Sequence, residues 1–361
     1  MFGCWGACSE KIRVHDRTGE STTFYVRDQL DQGYVEILFI IFFSGFSTIE
    51  LVSSSQSRQL YVLKRIICHS QVDEDKALRE MRLHLDMPSH PNLLPCFGGA
   101  RKALSRHPQG ALSQVCMILQ YSKQGSLQRL LDQSRFKRNP FNTRLIACLL
   151  TGICEGLSVL LSLKVPLAHR DLKPGNVLIF DNWRPVLMDF GSCTPAVIEL
   201  NTYKDVEYWK EFAEENCSMT YRAPEWFQPP LGQAITERAD IWSLGCLSYA
   251  LCFLESPLEK VRAKGDSVAL AACSANFSFP PDATTKYVWH DLTGKYFYFL
   301  FHSVSAQRFS PEMINLIKSM LNVNPAMRPS LQQVINTIEA VEPDALQNCT
   351  AEVVPVEPIA S

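Results

Sequence analysis

A short run of charged and amide side chains constrains this chain more than any other feature. The run is His169-Arg170-Asp171-Leu172-Lys173-Pro174-Gly175-Asn176, and Asp189-Phe190-Gly191 follows it further along the chain. Asp171 can accept a hydroxyl proton, while Lys173 can neutralise charge that develops during phosphoryl transfer. Asn176 and Asp189 offer oxygen ligands of the kind that Mg²⁺ binds. An Asp-Phe-Gly triplet alone is often an ordinary turn, but both motifs in this order predict a phosphoryl-transfer site.

Length, charge and cysteine content narrow the class of protein. A chain of 361 residues exceeds the usual single hydrophobic core, so we expect two lobes or domains. The net charge of -2, with acids and bases interspersed, gives no reason to expect a nucleic-acid partner. The 13 cysteines lack paired spacing and no secretory signal is evident, so we expect free thiols and a cytoplasmic environment. The longest apolar run, 37–43, falls far below the roughly 18 residues that cross a bilayer.

Hydrophobic periodicity predicts the elements around these motifs. Strands are expected at 11–27, with a turn at 17–19, and at 61–66 and 115–119. Helices are expected at 71–87, 145–163 and 202–216, the last with Thr202 as its N-cap. The helix at 145–163 is apolar enough to be a core helix, and it would deliver the chain to the His169 run.

The motifs and their order resemble those of the eukaryotic protein kinases, from about residue 20 to about residue 342. Further matches are Thr220-Tyr221-Arg222-Ala223-Pro224-Glu225 and Asp240-Ile241-Trp242-Ser243-Leu244-Gly245. The segment 189–225 corresponds to the activation segment, and a helix within it is peculiar to the Numb-associated kinase group, which this chain resembles most. The resemblance implies an α+β bilobal fold. A small β-rich N-lobe with one helix would span 20–119, a hinge 120–125, and a larger, mainly helical C-lobe 126–342, flanked by a tip at 1–19 and a disordered tail at 343–361.

The resemblance also implies how ATP and Mg²⁺ are held between the two lobes. Lys64, on the strand at 61–66, would contact the α- and β-phosphates and pair with Glu80. Asn176 and Asp189 would bind Mg²⁺, while Asp171 orients the acceptor hydroxyl and Lys173 neutralises developing charge. Lys173 at this position is also the family's mark for serine/threonine substrates.

The same resemblance assigns the adenine pocket and the substrate loop. In the adenine pocket, Leu178 would form the floor, opposite Ile49 and Val62, and Leu119 would be the gatekeeper. Gln120 and Ser122 would lie in the hinge, where the Ser122 backbone would form a hydrogen bond with adenine. The hydroxyl of Ser218 would meet Asp171. Arg170 would take a phosphate or acidic partner from the activation segment, and Glu225 would form a buried ion pair with Arg328.

Two segments depart from the family pattern. The residues 34–44 separate Gly33 from Gly45, which the family's glycine-rich, phosphate-covering loop would place side by side. Our hypothesis is that this apolar segment is translated intron or a gene-model error; the alternative is a remodelled loop that packs over the cleft or docks on a membrane. The segment at about 284–306 is likewise either intron-derived or an added surface element. Sequencing the transcript would decide between these interpretations.

The N-terminal tip carries two candidate acylation sites, Cys4 and Cys8. Phe2 stands where N-myristoylation requires glycine, so that motif is not met. The resemblance implies peripheral attachment to Golgi or other secretory-pathway membranes through these cysteines; the alternative is a frayed terminus with reduced thiols.

The sequence therefore predicts a serine/threonine protein kinase that transfers the γ-phosphoryl group of ATP to protein substrates. The alternative is a catalytically impaired pseudokinase or scaffold, because the glycine-rich loop is interrupted. A purely membrane-structural protein would leave the residues for phosphoryl transfer unexplained.

Overall fold

The computed structural model describes residues 11–16, 18, 21–28, 47–54, 59–104, 111–137, 139–275, 277–279, 286–290, 296–300 and 309–343. The chain divides into two compact units. Unit 1 comprises Met1–Ser126, Leu178–Phe180 and Val186–Gly191, and unit 2 comprises Leu127–Val177, Asp181–Pro185 and Ser192–Ser361. Unit 1 is built on an antiparallel sheet and unit 2 is mainly helical, so the predicted α+β bilobal fold is confirmed.

The sheet of unit 1 contains six strands. They are β1 (Lys11–His15), β2 (Ser21–Asp28), β3 (Ser47–Ser54), β4 (Leu60–Cys68), β5 (Cys96–Ala103) and β6 (Ser113–Gln120). Their order is β1-β2-β3-β4-β6-β5, and β1 closes the ring where His15 lies opposite Gly99. A Cβ atom on Gly98 would lie 2.8 Å from Val14 Cγ2, so glycine permits this close approach. The sheet thus begins at Lys11, before the residue 20 boundary predicted for the kinase domain.

Helix α1 (Gln71–Asp86) packs on this sheet. Ser70 begins it with a capping box, because the Ser70 hydroxyl accepts from the Asp73 amide while the Asp73 carboxylate accepts from the Ser70 amide. Ala77 of the helix lies in one apolar cluster with Cys68 and Val115 of the sheet. A helix at 71–87 is therefore confirmed, and its packing fixes the face that carries Glu80.

Unit 2 contains the remaining described helices. They are α2 (Leu127–Lys137), α3 (Thr143–Leu161), α4 (Tyr203–Asn216), α5 (Pro224–Phe227), α6 (Arg238–Phe253), α7 (Glu259–Ala263), α8 (Val268–Cys273), α9 (Pro311–Met320) and α10 (Leu331–Val341). Helices α3 and α6 are buried along most of their lengths and form the core, as expected for 145–163. We predicted that no segment is long and apolar enough to cross a bilayer. Helix α3 does have that length and composition, but most of it is buried inside the protein.

Short strand pairs complete the described fold. They are β7 (Leu167–Ala168) with β10 (Thr194–Pro195), β8 (Val177–Phe180) with β9 (Arg184–Leu187), and β11 (Ile198–Glu199) with β12 (Ala234–Ile235). A further pair, β13 (Lys286–His290) and β14 (Tyr296–Leu300), lies within the anomalous segment at 284–306.

Several predictions fall outside the described residues. These are the tip with Cys4 and Cys8, the glycine-rich loop with Gly33 and Gly45, the segment 34–44, and the tail beyond residue 343. Nine of the described cysteines are free thiols, which agrees with the expectation at these positions.

Candidate active site

A lysine, a glutamate and an aspartate meet in unit 1. Lys64 Nζ lies 2.6 Å from Glu80 Oε1 and 3.7 Å from Asp189 Oδ1. Strand pairing places Lys64 opposite Ile49 of β3 and Met117 of β6, while Glu80 comes from α1. The predicted Lys64–Glu80 pair is thus closed, with the carboxylate of Asp189 beside the same ammonium group.

Burial makes this cluster electrostatically strong. Burial alone lowers the pKa of Lys64, but the charges of Glu80 and Asp189 outweigh it, and the net pKa is raised above its usual value. Lys64 is therefore held as a cation. Asp189 has φ 62°, in the left-handed region, which places strain at this position. Phe190 is fully buried, with its ring 4.7 Å from that of His84 on α1.

The residues assigned to the adenine pocket lie together in unit 1. Ile49, Val62, Leu119 and Leu178 belong to one apolar cluster, which also contains Leu94, Met117, Phe180, Val186 and Met188. Val62 lies directly opposite Leu119 in the sheet. In the hinge, Gln120 ends β6, and the Ser122 hydroxyl donates to the Ile179 carbonyl at 2.6 Å. That bond ties the hinge to β8 and leaves the Ser122 backbone to carry the predicted adenine contact.

The catalytic loop of unit 2 forms a separate polar cluster around Asp171. Lys173 Nζ donates to Asp171 Oδ2 at 2.7 Å, and Asn176 Nδ2 donates to the same oxygen at 3.0 Å. The Ser218 amide donates to the other oxygen, Oδ1, at 2.8 Å. The two carboxylate oxygens are therefore held in a fixed orientation by three donors.

Ser218 contacts this loop differently from the sequence prediction. Its hydroxyl accepts from Lys173 Nζ at 2.6 Å, whereas its backbone amide, not its hydroxyl, meets Asp171. Side-chain identity predicted a hydroxyl contact, but backbone geometry in the turn 218–221 turns the amide toward the carboxylate. Ser218 therefore orients both charged groups of the loop.

Asn176 provides a test of the predicted metal site. It is fully buried, and while its Nδ2 is used, its Oδ1 has no hydrogen-bond partner within the part of the chain that the structure describes. Burial of an amide oxygen without a hydrogen bond costs free energy, and such an oxygen can instead serve as a ligand of Mg²⁺. No group of three or more His, Cys, Asp or Glu side chains with metal-binding geometry occurs among the described residues. The buried Asn176 Oδ1 thus fits the predicted contact with Mg²⁺.

Asp240 anchors the catalytic loop and was missed as a functional residue. Its Oδ2 accepts from the His169 amide at 2.6 Å and its Oδ1 from the Arg170 amide at 2.9 Å. Arg170 has φ 68°, so the two bonds hold a strained backbone immediately before Asp171. The sequence signal was present, since Asp240 opens the Asp-Ile-Trp-Ser motif, but we assigned that motif only to a buried helix.

Arg170 corrects a further prediction. It was expected to take a phosphate or acidic partner, yet its guanidinium donates to Thr194 Oγ1 and to three carbonyls, those of Thr236, Pro195 and Ala196. The guanidinium also lies 5.4 Å from the centre of the Trp226 ring. Neutral groups thus hold the activation segment at this arginine.

The activation segment also contains the predicted helix, α4. Thr202 caps it by accepting from the Asp205 amide, and Trp209 and Phe212 pack on Trp226 with ring centres 6.2 and 6.0 Å apart. Arg328 forms a bidentate ion pair with Glu225, at 2.6 and 2.7 Å, and both side chains are buried. These contacts fix the segment that carries Ser218.

A lysine–glutamate pair on a sheet-based unit and an aspartate-centred loop on a helical unit define a protein kinase. The family model for the protein kinase domain matches residues 44–338, and the chain belongs to this family. It is 34% identical over 309 residues to "Serine/threonine-protein kinase 16" of Rattus norvegicus and to its Homo sapiens counterpart, covering 86% of this chain and 90% of each relative. It is 27% identical over 327 residues to "Serine/threonine-protein kinase ppk13" of Schizosaccharomyces pombe, covering 82% of this chain and 87% of that protein. Within the family, the chain is therefore a serine/threonine protein kinase.

Proposed function

We propose that the chain is an active kinase that transfers the γ-phosphoryl group of ATP, with Mg²⁺, to serine or threonine hydroxyls of protein substrates. The observation that carries the proposal is the 2.6 Å Lys64–Glu80 pair with Asp189 on the same lysine. A kinase needs this pair closed to hold its nucleotide. The wall of Ile49, Val62, Leu119 and Leu178 supplies apolar surface for adenine.

In unit 1, Lys64 binds the nucleotide phosphates and Glu80 fixes the position of its ammonium group. Asp189 of unit 1 is a candidate ligand for Mg²⁺, and Asn176 Oδ1 of unit 2 is another. Bound ATP supplies the phosphoryl group, and Mg²⁺ neutralises charge on its phosphates.

In unit 2, Asp171 accepts the proton of the acceptor hydroxyl. The acceptor oxygen then forms a bond to the γ-phosphorus, while the bond between that phosphorus and the ADP oxygen breaks. Lys173 stabilises the negative charge on the transferred group, and Ser218 holds Lys173 in place through its hydroxyl. The proton leaves later from Asp171 to solvent.

The experiment is phosphate transfer from radiolabelled ATP to a degenerate Ser/Thr peptide mixture by the purified full chain. Asp171→Asn and Lys64→Met should each lower the rate by about 10²–10⁴-fold, since each removes a group that acts on the reacting atoms. Asp181→Asn, at an exposed aspartate, is the matched control and should retain the wild-type rate. Transfer by the wild-type chain that does not exceed that of Asp171→Asn would refute the proposal.

The second candidate, a pseudokinase or scaffold, rests on one observation, the separation of Gly33 from Gly45. A variant lacking residues 34–44 restores their adjacency. An inactive full chain with an active deletion variant would favour the second candidate for the chain as written. Equal activity in both would favour a remodelled loop that still permits catalysis.

Peripheral attachment to Golgi or other secretory-pathway membranes belongs to the proposal and depends on Cys4 and Cys8. Two neighbouring acyl chains give stable anchoring, whereas one gives only marginal binding. Metabolic labelling with an alkynyl palmitate should mark the chain in a hydroxylamine-sensitive manner and should fail in the Cys4→Ser/Cys8→Ser variant. Labelling that persists in this variant, or no labelling in either, would exclude attachment through these cysteines. Placement in the Numb-associated group is supported by helix α4 inside the activation segment.

A further inference from the structure

A cavity of about 660 Å³ lies in unit 2, outside the residues assigned to phosphoryl transfer. Its walls come from the end of α4, from the segment that follows Ser218, and from α7 with the start of α8. Its lining includes Met219, Arg222 and Phe227 from the second of these and Arg262, Asp266 and Val268 from the third. A cavity of this size can hold a large side chain together with part of its backbone.

Arg222 is the buried charge of this cavity, with 6% of its surface exposed. Its Nε and Nη2 both donate to the Cys217 carbonyl, at 3.2 and 2.7 Å, and the guanidinium lies 5.0 Å from the centre of the Phe227 ring. It forms no ion pair with any carboxylate of the described residues. Burial lowers its pKa, although Glu214 and Asp171 act at longer range to raise it. A buried cation with only neutral contacts can gain from an anionic ligand.

The rim of the cavity carries exposed charges of both signs. Arg262 adds a second guanidinium, while Glu214 and Asp266 are carboxylates, and all three side chains are exposed. Exposed charges are screened by water, so the buried Arg222 should dominate the choice of ligand. An apolar ligand would leave Arg222 unpaired, and a basic ligand would add a like charge beside it.

The cavity adjoins the residue that contacts the catalytic loop. Met219 directly follows Ser218, whose amide donates to Asp171 and whose hydroxyl accepts from Lys173. Adjacent Cα atoms are about 3.8 Å apart, so a polypeptide with its acceptor hydroxyl at Asp171 reaches the cavity within a few residues.

We propose that this cavity binds an anionic side chain of the protein substrate, a carboxylate or a phosphate, located a few residues from the acceptor, and that Arg222 and Arg262 contact it. The inference rests on the proposed kinase function and names the class of substrate. It makes the chain a kinase that selects acidic sites or sites already phosphorylated nearby.

The test uses the full chain and peptides with one acceptor serine, in which a single position on either side of it carries glutamate, phosphoserine, glutamine or lysine. At one position, glutamate or phosphoserine should give kcat/KM at least about tenfold above glutamine, because a hydrogen-bonded charge pair is worth that much. A preference for glutamate identifies a carboxylate ligand, and a preference for phosphoserine alone identifies a phosphate ligand. Equal rates for all four peptides at every position, or a preference for lysine, would overturn the proposal.

Three variants and a control test the residues involved. Arg222→Gln and Arg262→Gln should each reduce the ratio of anionic to neutral peptide rates, whereas Arg222→Lys should retain part of it. Because the readout is a ratio, a general loss of activity in Arg222→Gln does not imitate the effect, and Arg144→Gln, at an exposed arginine on α3, should keep the wild-type ratio. Ratios unchanged in both glutamine variants would overturn the assignment.

Failure of the proposed function is distinguishable from failure of this inference. If no peptide is phosphorylated, the kinase proposal fails, and binding of the same fluorescent peptides, measured by anisotropy, still tests the cavity. Tighter binding of the glutamate or phosphoserine peptide that weakens in Arg222→Gln and in Arg262→Gln supports the anion site without turnover. Binding that does not distinguish the peptides contradicts it.

Discussion

At the scale of single residues, the buried pair of Arg328 and Glu225 illustrates how unit 2 depends on matched charges. The two side chains are bonded through both carboxylate oxygens and are almost inaccessible to water. Removal of one partner leaves the other charge buried without compensation, which costs about 3–5 kcal/mol, whereas removal of both costs less.

We therefore expect Arg328→Met to lower the free energy of unfolding by about 3–5 kcal/mol. The double variant Arg328→Met/Glu225→Gln should recover part of this loss, and Arg144→Met should have little effect. Denaturant unfolding followed by fluorescence measures all three. A double variant that is less stable than Arg328→Met alone would contradict the account.

Ser218 provides a second prediction at this scale, because its two contacts separate side chain from backbone. Ser218→Ala removes the acceptor of Lys173 but keeps the amide that orients Asp171, so kcat should fall about tenfold, the value of one charged hydrogen bond. Ser218→Thr retains a hydroxyl and should remain within a few-fold of wild type. This pattern of kcat values in steady-state kinetics, with melting temperatures unchanged, would support the role. A threonine variant as slow as the alanine variant would argue against it.

At the scale of elements, helix α4 is stabilised by local sequence at one end and by packing on one face. The capping box of Thr202 and Asp205 satisfies amides at its start, and Trp209 and Phe212 contact Trp226. Thr202→Ala should cost the helix about 0.5–2 kcal/mol, while Thr202→Ser should cost much less.

Hydrogen exchange of the α4 amides is the measurement for this prediction. Faster exchange in Thr202→Ala, confined to α4, is the expected result, because the cap acts on that helix alone. Equal acceleration in the alanine and serine variants would mean that the hydroxyl does not serve as the cap.

Local signals predicted α1, α3 and α4 well, because apolar spacing and caps lie within each segment. The sequence also indicated the Lys64–Glu80 pair, since the family motifs name both partners. It did not indicate that β1 would pair with β5, because His15 and Gly99 are brought together only by the whole sheet. Nor did it predict the carbonyl partners of Arg170, because every residue type has a backbone carbonyl and the sequence does not show which ones act as acceptors.

At the scale of the whole molecule, the neutral partners of Arg170 bear on regulation. A kinase whose activation segment is held by carbonyls, a threonine hydroxyl and Trp226 has no need of a phosphate at this arginine. After phosphatase treatment, with dephosphorylation verified by mass spectrometry, the purified chain should retain its initial rate of peptide phosphorylation within about twofold. The reason is that no charge-assisted hydrogen bond is lost. An initial rate that falls more than tenfold, and returns on preincubation with ATP, would contradict this.

The ring of strands in unit 1 has a consequence for how other proteins can recognise it. Regulators that work by strand addition need an exposed sheet edge with unpaired backbone donors and acceptors. In the part of unit 1 that the structure describes, β1 joins β5 at His15 and Gly99, so neither outer strand is an open edge along its whole length. An added strand therefore meets an edge that is interrupted at His15 and Gly99, and variants that loosen β1 should expose the molecule to self-association through the edge they free.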